Sequence, residues 1–198
     1  MKKIWPNNHL NLQLKFFITQ HKLNNIAQDN LVYSLNDKEK TAKIINNNQA
    51  NGDILIPRSI IYKSEEYIVT SIRKKSFSDS NIKSIKFSPD SELKKIEKEA
   101  FSNSQIESIL IPSTVSDLEE GWFHKAPNLN KVTVMKDNQY YKNFEDDQLV
   151  FGKSCNESTE FDVLIFASRS IKELKIPANV KRIASYLFSY SSIESVFI

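Results

Sequence analysis

One spacing of apolar residues recurs four times and constrains the fold of this chain more than any other feature. In the stretch SELKKIEKEAFSNSQIESILIP (residues 91–112), five apolar anchors stand at offsets 0, 5, 10, 13 and 15. The other copies repeat these offsets, one of them with a single residue inserted after its Phe. The four sets are Ile72, Phe77, Ile82, Ile85 and Phe87; Ile96, Phe101, Ile106, Ile109 and Ile111; Leu118, Phe123, Leu129, Val132 and Val134; and Ile183, Phe188, Ile193, Val196 and Ile198. Such self-similarity predicts a stack of equivalent units.

The end of each copy alternates apolar and polar residues, which is the period-two pattern of a short strand. Strands from successive units are expected to form a parallel sheet in which each strand contacts its neighbours. The Phe of each copy is expected to fill the space behind this sheet. A small residue follows the Phe three positions later and predicts a tight turn against the core. These small residues are Ser80, Ser104, Ala126 and Ser191.

Apolar runs outside the four copies predict additional strands. Residues 31–35 and 41–45 are joined by the turn-forming sequence NDKE, which favours an antiparallel hairpin. A smaller β excursion is predicted between Ile60 and Ile72, where the last copy has a much shorter step. Residues 10–18 alternate apolar and polar side chains, which predicts a strand and leaves a capping helix as the alternative.

The step between the third and fourth copies is too long for one unit. It spans 65 residues from Leu118 to Ile183, against 24 and 22 for the two earlier steps. We therefore expect an inserted hairpin flap, giving a β-rich fold, mostly strands with short helical turns, built as a solenoid. The predicted divisions are an N-terminal β-hairpin or capping segment at 1–50, repeats at 51–134, the inserted hairpin flap at 135–170, and a final repeat, predicted to be truncated, at 171–198.

Composition excludes several classes of function. The net charge of +3, from 27 basic and 24 acidic residues, is spread along the chain and does not indicate nucleic-acid binding. No window approaches the roughly 18 consecutive apolar residues of a membrane-spanning helix, so no membrane insertion by this chain is expected. The single cysteine, Cys155, excludes an internal disulfide framework. The first residues also lack the unbroken apolar stretch of about 7–15 residues found in signal peptides, which favours a cytoplasmic chain.

The sequence shows no catalytic, cofactor-binding or metal-ligating residues. The three histidines, His9, His21 and His124, are far apart and have no second ligand at metal-binding spacing. The adjacent carboxylates Glu119 and Glu120 are expected to point apart, unlike a hydrolytic pair. Since Cys155 also has no base nearby in sequence, we predict a protein that is not an enzyme and needs no cofactor.

The remaining candidate site is the outward row of the stacked strands. A solenoid presents its strands as an extended concave surface, and such surfaces commonly bind proteins. Asp53 and Leu55 begin this row, and outward apolar groups on it are candidate contacts. The predicted protein-binding residues are Ser84, Lys86, Ser108, Leu110, Lys131, Thr133, Glu173, Lys175, Ser195 and Phe197. The alternative from the residues alone is a merely solvated sheet.

Three segments carry a family resemblance. The segments IESILIPSTVSDLEEGWF (residues 106–123), IKELKIPANVKRIASYLF (171–188) and IEKEAFSNS (96–104) are similar to the BspA-like leucine-rich repeats of treponemal type. This family is common in bacterial surface antigens and is expanded in parasitic protists. The resemblance covers about residues 40–198, with Ser or Ala where the family often has Cys, and most copies lack the Gly common before the family's Ala-Phe pair.

The resemblance implies a leucine-rich-repeat solenoid that works as a protein-interaction module in cell adhesion or host interaction. The implied partner is a protein, such as a cell-surface or matrix component, and the implied location is the cell surface or extracellular space. The alternatives are a glycan-binding adhesin and a structural fragment of a longer repeat array without its own ligand. The second alternative arises because the last copy stops at Ile198, where earlier copies continue.

Overall fold

The computed structural model describes residues 24–144, 147–155 and 157–198, and the regular elements in these ranges are all β-strands. The β-rich fold class is therefore confirmed. The strands are β1 (Asn24–Gln28), β2 (Leu31–Asn36), β3 (Thr41–Ile44), β4 (Asn51–Ile56), β5 (Ser59–Tyr62), β6 (Glu65–Ile72), β7 (Asn81–Phe87), β8 (Lys95–Ile96), β9 (Ser108–Ile111), β10 (Asp117–Leu118), β11 (Lys131–Val134), β12 (Tyr141–Phe144), β13 (Leu149–Gly152), β14 (Val163–Ala167), β15 (Glu173–Lys175), β16 (Arg182–Ile183) and β17 (Ser195–Phe197).

Antiparallel pairings precede most of the stack. β2 pairs with β3, and β5 pairs with β6, where the sequence predicts strands. β1 also pairs with β2, and this strand is not predicted from the sequence. The β2–β3 and β5–β6 hairpins are joined where the Tyr67 hydroxyl donates a hydrogen bond of 2.6 Å to the Asp37 carboxylate. The strand or helix predicted at residues 10–18 lies outside the described residues.

Two parallel arrays of strands run along the stack. β4, β7, β9 and β11 form one sheet, while β3, β6, β8 and β10 follow one another in a second sheet. A turn joins each strand of the second sheet to the next strand of the first. Backbone hydrogen bonds also cross between these turns, from Phe77 N to Ala100 O at 2.8 Å and from Phe101 N to Trp122 O at 2.9 Å. Each repeat therefore rests on the next through both strands and the turn, as the spacing predicts.

A column of aromatic rings fills the space behind the first sheet. The rings of Phe77 and Phe101 stack with centroids 5.5 Å apart, and Trp122 meets Phe101 edge-on at 5.9 Å. All three side chains are buried. The predicted tight turns are also present, because the Ser80 and Ser104 hydroxyls donate to the carbonyls of Phe77 and Phe101 at 2.7 and 2.8 Å. Ring packing and these turns together explain the recurring Phe and small residue.

The last copy departs from this arrangement. Phe188 is 41 % exposed, and the anchors Ile183, Val196 and Ile198 are also exposed. The expectation that every Phe lies buried behind the sheet is wrong for this copy. The physical reason is that no further repeat within the described ranges packs on this side of the stack.

Residues between β11 and β15 contribute three strands to a four-stranded sheet, whose fourth strand is β16. β12 pairs with β13 and β13 pairs with β14, which agrees with the strands predicted there. β14 also pairs in parallel with β16, with Val163 opposite Arg182. This strand is therefore both part of the insertion and part of the stack. The domain boundaries named above stay a prediction.

The insertion interrupts the first sheet. The Asn143 amide lies at the edge of β11, where it donates to Val132 O at 2.6 Å and accepts from Val134 N. Within the described residues, β15 and β17 form a separate two-stranded sheet beyond the insertion, while β16 pairs with β14. The outward row predicted from the sequence is therefore divided between two sheets, because a side chain occupies the hydrogen-bonding edge of β11.

Candidate protein-interaction surface on the strand face

The candidate surface is the solvent-facing side of the sheet formed by β4, β7, β9 and β11, which we call the four-strand face. Inward residues such as Ile85 and Ile109 are buried, and the alternate positions reach solvent. The strand register aligns the outward positions in two rows. The first row is Asp53, Ser84, Ser108 and Lys131, and the second is Leu55, Lys86, Leu110 and Thr133.

Polar side chains at both edges of this face already have partners. The Ser84 hydroxyl donates to the Asp53 carboxylate at 2.6 Å. At the other end, the Thr133 hydroxyl donates to Asp147 at 2.8 Å, and the Lys131 ammonium lies 3.8 Å from the same carboxylate. Asp147 belongs to the insertion, and no repeat pattern in the sequence marks it as part of the face.

The centre of the second row combines apolar and basic groups. Leu55 lies beside Lys86 in the register, and continuing the pairing of Ile85 with Ile109 places Leu110 on the other side. Leu55 is 66 % exposed, Lys86 is exposed and Leu110 is half-buried. Lys86 forms no ion pair with any described residue. This row therefore offers an uncompensated cation between two apolar side chains.

The other predicted residues lie on the sheet formed by β15 and β17, the two-strand face. Glu173 is opposite Ser195, and Lys175 is opposite Phe197. Phe197 is 52 % exposed. The structure thus brings the ten predicted residues together in two groups rather than in one row.

The adjacent carboxylates of Glu119 and Glu120 point to different partners. Glu119 pairs with Lys95, whose hydrogen bond holds the pKa of the Glu119 carboxyl below its usual range. Glu120 pairs with Arg182 and accepts a hydrogen bond from Ser185 N at 2.9 Å. Because each carboxylate is held in its own contacts, the two do not face a common bond.

The described histidine and cysteine are also separate. The His124 ring lies 4.5 Å from the Tyr186 ring, and burial lowers the pKa of the imidazole. Cys155 is exposed. No group of three or more His, Cys, Asp or Glu residues within the described ranges is arranged to hold a metal ion. His9 and His21 lie outside these ranges.

A membrane-spanning helix of sufficient length and hydropathy does not occur in the part of the chain that the structure describes.

Solved structures of bacterial leucine-rich repeat proteins align with this chain. A protein from Eubacterium ventriosum shares 17 % identity at a TM-score of 0.53, over 86 % of this chain and 58 % of its own. The pneumococcal vaccine antigen PcpA aligns at 18 % identity and a TM-score of 0.44, over 88 % of this chain and 67 % of its own. A leucine rich cell surface protein from Faecalibacterium prausnitzii aligns at 15 % and 0.42, over 87 % and 72 %. The first of these shows a shared fold, and the chain spans 58 % of its length.

None of the curated proteins matches this chain. The comparison with family models, in contrast, agrees with the fold. The family model described as "BspA type Leucine rich repeat region (6 copies)" matches residues 58–159 and 153–198, which together are well over half of the chain. With the stacked strands, the aromatic column and this match, the chain belongs to the BspA-type leucine-rich repeat family.

Proposed function

We propose that this chain binds a protein partner through the four-strand face. Its family and fold support a repeat-based interaction module. The proposal adds the location of the contact and the chemistry of the partner. The partner would present a carboxylate next to apolar side chains, because these groups complement the face.

The observation that carries the proposal is the position of Lys86 between Leu55 and Leu110. Burial of an exposed Leu by a partner stabilises the complex by about 25 cal/mol per Å² of apolar surface. A cation with no carboxylate partner among the described residues can pair with an acidic group without breaking an existing ion pair. The face therefore has both an apolar and an electrostatic contribution to offer.

The four-strand face supports a protein partner better than a neutral glycan. Sugars commonly stack on aromatic side chains, and none of the eight outward residues of this face is aromatic.

We extend the proposal to a cell-surface or matrix protein and to a role in adhesion, because the chain resembles the repeats of surface antigens. Antibody staining of intact, unpermeabilised cells that produce the full-length protein tests this extension.

The binding test uses affinity capture with the purified chain as bait. A surface-protein extract is passed over the bait, retained proteins are identified by mass spectrometry, and their affinities are measured with purified proteins. The variant Lys86→Glu/Leu110→Asp changes the four-strand face and is expected to lose at least tenfold in affinity. The matched control Lys175→Glu/Phe197→Asp makes the same kinds of change on the two-strand face and should bind as the parent does.

Two results would contradict the proposal. One is a parent chain that retains no protein above the level of an uncoated matrix. The other is a four-strand variant that keeps the parent's affinity while its circular dichroism spectrum and Tm show that it is folded. Loss of binding in the control variant alone would place the contact on the two-strand face and overturn the proposed location.

A further inference from the structure

A cavity of about 560 Å³ lies where the insertion meets the end of β11. Three lysines line it, one from the turn after β11 and two from β12 and the end of β13, together with Phe161 and Thr159. We call this cavity the lysine pocket, and its lysines are Lys136, Lys142 and Lys153. It is separate from the four-strand face and does not depend on the function proposed for that face.

The wall of the pocket is held by a buried hydrogen-bond network around Asn138. The Asn138 amide donates to Pro112 O at 2.8 Å and to Val115 O at 2.9 Å. Its carbonyl oxygen accepts from the backbone N–H groups of Tyr140 and Tyr141, each at 2.8 Å. Because the side chain uses both its donor and its acceptor atoms, this wall is pre-formed, which favours binding of a small ligand.

Two of the lysines belong to the β12–β13 hairpin or its end. Lys142 lies on β12 opposite Phe151, and Lys153 directly follows β13, two residues after Phe151. The Lys142 ammonium lies 5.5 Å from the centroid of the Phe144 ring, and the Lys153 ammonium lies 5.3 Å from that of Phe161. Aromatic faces stabilise these cations only partly.

None of the three pocket lysines forms an ion pair with a described residue. Elsewhere, lysines of one repeat pair with carboxylates of the next, as in Lys83 with Glu107 at 2.7 Å and Lys172 with Glu194 at 3.1 Å. Among the described residues, those that line the pocket include no carboxylate. Like charges around one cavity repel each other, and a bound anion would remove that repulsion.

We propose that the lysine pocket binds a small organic anion carrying two or more sulfate or phosphate ester groups. The cavity volume lies in the range of sites for sugar-sized ligands. Lysine ammoniums bind such esters as point charges. Thr159 adds a hydroxyl and Phe161 an apolar wall, which suit the hydroxyl groups and the carbon frame of a sugar or cyclitol ring.

The test is isothermal titration calorimetry of the intact chain with two probes. A trisulfated heparin disaccharide represents a sulfated glycan, and inositol hexakisphosphate represents a phosphate ester. The same disaccharide without sulfate groups is the neutral control. We expect saturable binding of at least one charged probe, weaker binding at higher salt because of screening, and no binding of the neutral disaccharide. The probe that binds more tightly identifies the source of the ligand.

The variant Lys142→Gln/Lys153→Gln is expected to weaken binding of that probe at least fivefold. Lys38→Gln/Lys94→Gln removes two exposed lysines outside any described ion pair, so it gives the same change in net charge and should keep the parent's affinity. Absence of saturable binding, equal binding of the neutral disaccharide, or a loss of less than fivefold in the pocket variant would overturn the proposal. An equal loss in both double variants would do so too, because it would show attraction by net charge alone.

Discussion

The guanidinium of Arg169 lies over the ring of Phe123, with its central carbon 5.0 Å from the ring centroid. Arg169 is buried in a short turn between β14 and β15. The equivalent turn in the neighbouring repeats is longer and contains an aromatic residue. Its Nη1 donates to Leu187 O at 2.6 Å and its Nε to Ala126 O at 3.4 Å. Arg169 thus connects the turn before the insertion with the turn of the last repeat.

We expect Arg169→Ala to lower the free energy of unfolding by roughly 3–5 kcal/mol. The change opens a cavity against Phe123 and leaves the carbonyls of Leu187 and Ala126 without this donor. Arg169→Met keeps much of the volume and also removes a buried charge, whose pKa is lowered to about 10 by burial, so its loss should be smaller. Urea unfolding followed by circular dichroism measures both; equal stability of Arg169→Ala and the parent would contradict the role of this side chain.

Asn143→Ala is expected to cost about 1–3 kcal/mol, because the Val134 N–H loses its acceptor at the edge of β11. For a chain of this size, each kcal/mol lowers the Tm by about 2–4 °C. The control is Gln139→Ala, which removes an exposed amide that donates only to Asp137 O within the described residues. If both variants melt at the parent's temperature, the Asn143 amide does not stabilise the edge.

Phe101→Ala is expected to cost about 3–5 kcal/mol, since Phe101 is buried between Phe77 and Trp122. Phe188 occupies the equivalent position in the last copy but is 41 % exposed, so Phe188→Ala should cost less than about 1.5 kcal/mol. The two variants remove the same side chain and therefore serve as controls for each other in chemical denaturation. Equal losses would show that burial in the stack does not set the contribution of this Phe.

Glu120 is expected to make stability fall in acid. Hydrogen bonds from the Ser185 hydroxyl and backbone N–H lower the pKa of the Glu120 carboxyl from 4.5 to about 2, with Arg182 as a further cause. A carboxyl whose pKa is lower in the folded state stabilises that state above its unfolded pKa, and this stabilisation is lost as the pH falls from about 4.5 to 2.

The measurement for Glu120 is the Tm of the parent and of Glu120→Gln between pH 6 and pH 2.5. The parent should melt at a higher temperature at pH 6, and the difference should shrink at pH 2.5. Glu39→Gln changes an exposed carboxyl outside any described ion pair, and its difference from the parent should stay nearly constant. A Glu120 difference that does not change with pH would argue against a stabilising carboxylate.

Much of the fold could be predicted from the sequence, because the signals are local. The offsets of Ile96, Phe101 and Ile106 predict a buried side of each repeat, and these residues are buried. Alternation along short segments likewise separates inward residues from outward ones. The same reasoning failed for Phe188, because the burial of an anchor depends on the next repeat and not on its own segment.

The candidate sites were predictable only in part. Alternation correctly assigns Lys86 and Leu110 to outward positions, but nothing in the pattern shows that Asp147 reaches Thr133 on the same face. The lysine pocket has no motif, since its lysines come from positions with no regular spacing. These contacts depend on where the insertion packs, which no periodic signal reports.

The sequence by itself determined the repeat, the solenoid and the direction in which each strand residue points, because an apolar period expresses which side chains must leave water. Only the tertiary structure decided how the insertion meets the stack. Asn143 at the edge of β11 divides the outward surface in two, and Arg169 spans the turns on either side of the insertion. Such contacts join residues far apart in the chain, and their partners are selected by the geometry of the folded protein rather than by local spacing.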